Sequence, residues 1–133
     1  MNTLTGFFIL GCVGMALEVF YTGIMDYLKG ETHNALPGRS YVWMFPAYGF
    51  LSLFFPYVQE YVWYARGIIY VIGVFVFEYI YGFFLRMLLG AAPWEHKYHG
   101  KKWSVHGLVR LDYAIHWFVA LLLLEVLWRS LGA

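Results

Sequence analysis

RGIIYVIGVFVFEYIYGFFLRMLL, residues Arg66–Leu89, carries one charged side chain, Glu78, between its arginines at 66 and 86. A helix needs roughly 20 apolar residues to cross the hydrocarbon core of a bilayer, and this run supplies them. Period-two alternation is absent, and a barrel needs more strands than the four long apolar stretches of this chain, so helices are the only spanning element. Composition agrees. The 133 residues are 62% hydrophobic and 23% aromatic but only 13% charged, about half the roughly 25% of a soluble domain. Lipid rather than water is the solvent for such a surface.

Three more stretches of similar character flank this one, from about Leu4 to Leu28, from about Ser40 to Tyr61 and from about Gly107 to Leu131. The expected fold is an all-α integral membrane protein: one domain over residues 1–133, a bundle of four transmembrane helices, with spans at about 4–28, 40–61, 66–89 and 107–131. Pro46 and Pro56 remove ladder hydrogen bonds from the second span, so it is expected to be kinked or broken and to pack against protein. The first span lacks a basic leader and a small-residue cleavage site and reads as an uncleaved helix. Cys12 is the only cysteine, so no intramolecular disulfide forms.

Charge sets the orientation. Lys29, Arg39, Arg86, Lys97, Lys101, Lys102 and Arg110 flank the loops after the first and third spans, and only Arg66 and Arg129 lie on the opposite side. The positive-inside rule puts loops 29–39 and 90–106 in the cytoplasm and both termini outside, in a membrane of the bacterial inner-membrane kind. Trp43 and Trp94 are expected at the inner interface, Trp63 and Trp128 at the outer.

A carboxylate deep in a span is costly unless protonated, paired or facing water. At 1.5 Å per residue, Glu18 lies about 15 Å, Glu78 about 16 Å and His116 about 13 Å from the inner ends of their spans. Asp112 lies four residues before His116 on the same face, and Arg86 two turns below Glu78 with Gly82 between. Gly14, Glu18, Tyr21 and Met25 form a stripe on the first span, and Arg39 and Tyr48 enter from the inner half of the second. These groups can converge on one polar cavity open to the cytoplasm. The plainer reading makes Glu18 and Glu78 neutral hydrogen-bonding glue between helices, and His116 a satisfied core histidine. Arg110 and Asp112 lie where charges are cheap and serve as anchor or as site. Glu125 stands four residues before Arg129, the favourable order for an ion pair near the outer interface.

Residues 93–102, Pro-Trp-Glu-His-Lys-Tyr-His-Gly-Lys-Lys, read as a solvated basic segment beside the membrane that touches anionic headgroups. Their His-x-x-His lacks a third ligand at diagnostic spacing, so no metal site is expected. No phosphate loop, nucleophile elbow or HExxH occurs, no cofactor is indicated, and nucleic-acid binding has no support.

Several ordered motifs resemble those of one family. Gly14-Met15-Ala16-Leu17-Glu18-Val19-Phe20-Tyr21-Thr22 resembles the glycine–glutamate opening of the putative ABC-transporter type IV (CmpB-like) family. Pro37-Gly38-Arg39-Ser40, Trp43-Met44-Phe45-Pro46 and Tyr48-Gly49 resemble its second segment. Phe77-Glu78-Tyr79, Gly82, Pro93-Trp94, Gly107-Leu108, Asp112-Tyr113-Ala114 and Trp117-Phe118 follow in order. Among named relatives the chain resembles the vertebrate transmembrane protein 229 group. Pro-Trp-Glu-His stands here where relatives have Pro-Trp-Asp-Tyr. The resemblance implies a four-helix membrane protein, and it sets Glu18, Arg39, Tyr48, Glu78 and Trp94 at motif positions. It also implies that a transport role would need a partner ATPase or an ion gradient.

Three functions fit these residues. The leading one is a small membrane protein that binds or translocates a small solute, ion or lipid through the Glu18/Glu78/His116 cavity, as a homo-oligomer because four helices are few for a path. The second is an enzyme on lipid headgroups, with a carboxylate or His116 as base and Arg39 or Arg110 holding a phosphate. The third is an accessory or packing subunit of a larger membrane complex. The orientation is directly testable. Single cysteines at Thr3 and Lys101, in a Cys12→Ala background, are expected to label from opposite sides of intact cells. Labelling of both from one side would exclude the four-span reading.

Overall fold

The computed structural model describes residues 2–132. Most of the chain is helical, and three helices are long and apolar enough to cross a membrane: α1 (Thr3–Leu28), α4 (Trp63–Leu89) and the stretch Leu111–Ser130, a 3-10 turn (Leu111–Tyr113) that runs into α6 (Ala114–Ser130). Two compact units are described in turn. One holds the chain up to Gln59 and from Leu124 onward; the other is Glu60–Leu123.

In the first unit the Asn2 side chain caps α1, accepting the Thr5 amide at 2.8 Å and so satisfying one of the orphan donors of the first turn. The stretch expected as one second span forms short pieces instead: α2 (Met44–Gly49), α3 (Leu51–Phe54) and a 3-10 turn, Phe55–Tyr57. Pro46 lies in the first turn of α2, where its missing N–H leaves no helical bond unmade and its ring keeps helix from reaching back to residue 42, and Pro56 falls in the 3-10 turn that follows α3. At helical rise, residues 44–57 reach about 21 Å, short of the roughly 30 Å hydrocarbon core.

These pieces lie directly on α1. A Cβ built on Gly14 would fall 2.1 Å from the Tyr48 ring, and one on Gly38 would fall 1.9 Å from the Val19 carbonyl oxygen. Only hydrogen fits at either place. Further along, Phe55 is fully buried and Trp128, expected in the outer aromatic belt, is buried against it with ring centroids 5.5 Å apart. Its apolar bulk has protein to pack against and does not need the interface.

In the second unit α4 ends at Gly90, whose left-handed backbone (φ +89°) returns its N–H to the Arg86 carbonyl at 2.9 Å. Beyond Gly90 the chain is folded, which corrects the expectation of a solvated loop. A short helix, α5 (Glu95–Tyr98), precedes a hairpin of β1 (Ser104–Val105) with β2 (Val109–Arg110), paired Ser104 with Arg110 and Val105 with Val109. The hairpin turns through His106 (φ +55°) and Gly107 (φ +74°), closed by Leu108 N–H donating to the Val105 carbonyl at 3.0 Å. The pairing leaves residues 106–108 in the loop, and its first two residues hold positive φ, which glycine adopts freely and histidine tolerates better than most residues. Ala92, Trp94, Tyr98, Leu108 and Val109 are buried, a small core that the charge of the segment masks.

Because the hairpin uses residues 104–110, α6 begins at Ala114 rather than at Gly107. His116 therefore sits about 8 Å from the start of the stretch Leu111–Ser130 instead of about 13 Å from the start of the expected span. The close packing of the first unit carries a prediction. Gly38→Ala meets rigid backbone and is expected to cost about 1–3 kcal/mol, read by thermal unfolding in detergent. Cys12→Ala, at an exposed position of α1, is expected to stay within about 0.5 kcal/mol of the parent.

Candidate functional site

Glu18 lies near the middle of α1, and the chain returns to cover it. Ser40 Oγ donates to one carboxylate oxygen at 2.6 Å, and Tyr48 OH donates to the other at 2.7 Å. Tyr48 comes from α2 and reaches Glu18 because its ring crosses α1 over Gly14. Thr22, one turn further along α1, fixes the approach of the chain: its hydroxyl accepts the Arg39 amide N–H at 2.7 Å and lies 2.9 Å from the Glu18 carbonyl. The Arg39 guanidinium turns to Asp26 at 2.5 Å, near the end of α1.

Glu18 and Tyr48, both singled out in the sequence, meet here, with Arg39 bonded to Asp26 beside them. Glu18, Thr22 and Asp26, each four apart, make polar contacts on one row of α1 that also holds Gly14, and Tyr21 and Met25 are half-buried on the same helix. The signal was available, since residues four apart stack on a helix and both Thr22 and Asp26 are polar in an apolar run. Ser40 went unrecognised as a donor because it reads as an ordinary helix cap.

The other acid of the first unit is Glu125, which is 2% exposed. Gln59 links it to Arg129: the Gln59 amide donates to Glu125 at 3.1 Å, and Arg129 Nε donates to the Gln59 carbonyl oxygen at 2.6 Å. The direct Glu125–Arg129 separation is 3.9 Å. The expected pair is present, with a glutamine between its ends that the sequence did not single out.

In the second unit the centre is Glu95, a residue that sequence reasoning left in the loop. One carboxylate oxygen accepts from Arg86 Nε at 2.8 Å and from the Ala92 amide at 2.7 Å; the other lies 3.0 Å from His99 Nε2. Arg86 also donates to the His106 carbonyl at 2.6 Å, and Tyr79 OH meets His106 Nδ1 at 2.8 Å, so α4 grips the hairpin at two points. The Arg86 guanidinium holds the Glu95 carboxyl down at about 2, outweighing the upward push of burial, and the Ala92 N–H and His99 act in the same direction. His99 of the His-x-x-His motif is thereby engaged by a carboxylate, and among the described residues no three metal-type ligands cluster.

Trp94, expected at the inner interface, is instead buried and donates its indole N–H to the Leu108 carbonyl at 2.9 Å. Glu78 is buried at 5% exposure on α4, on the row that continues through Gly82, beneath Trp94 and Leu108, to Arg86. Arg110 closes on Asp112 at 2.5 Å, donates to Tyr113 OH at 2.9 Å and lies 4.2 Å from the Tyr113 ring centroid. His116 is exposed and meets the Tyr113 ring edge-on, so it is not a core histidine within this unit. The two arginines considered as phosphate holders, Arg39 and Arg110, are both closed on carboxylates.

Three helices long and apolar enough to cross a membrane mark an integral membrane protein. The chain belongs to the family described as putative ABC-transporter type IV, which matches residues 5–131. No solved structure matches it.

Glu95 ties stability to pH. Its folded value lies below the ordinary 4.5, so its contribution is fully present above pH 4.5 and is lost as pH falls through about 2. The melting temperature in detergent is expected to fall more steeply over that window for the parent than for Glu95→Gln, which starts lower and responds less. Equal slopes would remove Glu95 as the organising acid.

Proposed function

We propose that this chain is the membrane component of a transporter, and that Glu18 is the group its small solute or ion meets. The observation that carries this reading is the bonding of Glu18. Both oxygens accept from neutral hydroxyls, while the nearby guanidinium of Arg39 is committed to Asp26. A carboxylate in an apolar helix, bonded by two hydroxyl donors while the neighbouring guanidinium bonds another acid, is ready to take a proton or a cation. Broken helical pieces beside it are a second support, because irregular backbone at membrane depth is tolerated where it is buried in protein or lines a path. In this reading the pieces within 44–57 and their flanks make the fourth crossing. Loops 29–39 and 90–106 face the cytoplasm and both termini face outward. Energy comes from a partner ATPase, consistent with the family name, or from an ion gradient.

One competing account has specific support: the same two hydrogen bonds can serve only to fasten residues 40–48 to α1, making the chain an accessory subunit. Proteoliposomes containing the purified protein separate the two. Proton flux is followed with an entrapped pH dye under imposed sodium and potassium gradients. The parent is expected to conduct, and Glu18→Gln, which keeps an acceptor and the shape of the side chain, to lose at least about tenfold with its melting temperature maintained. Full flux in Glu18→Gln, combined with a destabilised Glu18→Leu, would leave the fastening role as the account of this residue.

A further inference from the structure

The second unit treats its cations in two ways. Arg86 and Arg110 are folded inward, each closed on a carboxylate, Glu95 and Asp112. Lys97, Lys101 and Lys102 make no ion pair among the described residues. Glu95 is the only acid between Ala91 and Arg110, and Arg86 already neutralises it. The folded segment thus presents three uncompensated ammonium groups within six residues. Beside them Trp103 is 53% exposed, with Lys102 Nζ 5.4 Å from its ring centroid.

A soluble surface gains nothing by exposing an indole next to unpaired lysines. An interface does, because tryptophan prefers the headgroup level and anionic headgroups supply the missing countercharge. Position agrees, since Lys97 lies eight residues past Leu89, where the membrane-length α4 ends. The hairpin is held to α4 through Arg86 and Tyr79, so these side chains belong to a fixed platform rather than a loose tail.

We infer that residues 97–103 form a docking surface for the anionic lipid headgroups of the adjacent leaflet, with Lys97, Lys101 and Lys102 as the charges and Trp103 as the apolar anchor. The arginines build the platform and the lysines contact the membrane. Each lysine near an anionic surface strengthens attraction about fivefold, so the three together give an effect on the order of a hundredfold.

The test uses the full-length protein in detergent micelles, titrated with phosphatidylglycerol or with zwitterionic phosphatidylcholine, and reads retained lipid by native mass spectrometry. The parent is expected to prefer phosphatidylglycerol, and Lys97→Gln/Lys101→Gln/Lys102→Gln to lose most of that preference. Trp103→Ala is expected to weaken retention of both lipids. Added salt is expected to erode the preference of the parent itself, a measurement that needs no variant and holds if the triple variant fails to fold. Equal retention of the two lipids by the parent overturns the inference, as does an unaltered preference in the folded triple variant or a preference insensitive to salt. Loss of a co-purifying acidic protein from the triple variant, with phosphatidylglycerol preference unchanged, also overturns it and assigns the surface to that protein.

Discussion

A carboxylate inside an apolar helix must find donors, and in this protein the chain itself supplies them. Glu18 is met by Ser40 and Tyr48, and both can arrive only because glycine at positions 14 and 38 lets residues 38–49 lie against α1 without a Cβ between them. Thr22 and Asp26 extend the same row and hold Arg39 by its backbone and its side chain. Breaking the second apolar stretch into short pieces serves this contact. A straight helix would present one face to α1, whereas the turn before Met44 and the helix after it deliver two hydroxyls to the two oxygens of one side chain.

The second unit solves a different problem with similar means. Its acid, Glu95, lies in a polar segment that must fold beside a membrane helix with little apolar surface. Arg86 at the end of α4 provides the countercharge, the Ala92 amide and His99 complete the set, and Trp94, Tyr98, Leu108 and Val109 close over it. Arg86 keeps about a third of its side chain exposed, so the pair forms without full desolvation of the cation and both holds the segment to the end of α4 and adds to its stability. Specifying where the hairpin sits on α4 leaves the neighbouring lysines in one place.

Proline, glycine and charge were informative in different degrees. Pro46 and Pro56 pointed to an irregular stretch, and residues 44–57 form short helical pieces; Glu18 and Tyr48, both read from the sequence as polar groups in apolar surroundings, are hydrogen-bonded to each other. Other readings missed because they assumed regular geometry. His116 was placed deep by counting from Gly107, but residues 104–110 pair as a hairpin and α6 starts later. Trp94 and Trp128, assigned to interfaces by their type, are both buried in protein, which residue type alone does not reveal. Glu95 was passed over because its partner, Arg86, lies nine residues away across a helix end, where no fixed periodicity relates two side chains.

Hydropathy, which is a local sum, determined by itself that this protein is an integral membrane protein, but it read four spans where the structure forms three helices of the length and composition to cross a membrane. Ordered short motifs determined its family. Which oxygen meets which hydroxyl, and which arginine neutralises which acid, was decided only by the tertiary structure. Those contacts join residues such as Glu18 with Tyr48 and Gln59 with Glu125, whose separation along the chain is set by turns and close approaches rather than by any repeat. A helix fixes the direction of its own side chains, but the partner of a polar group depends on where the rest of the chain returns.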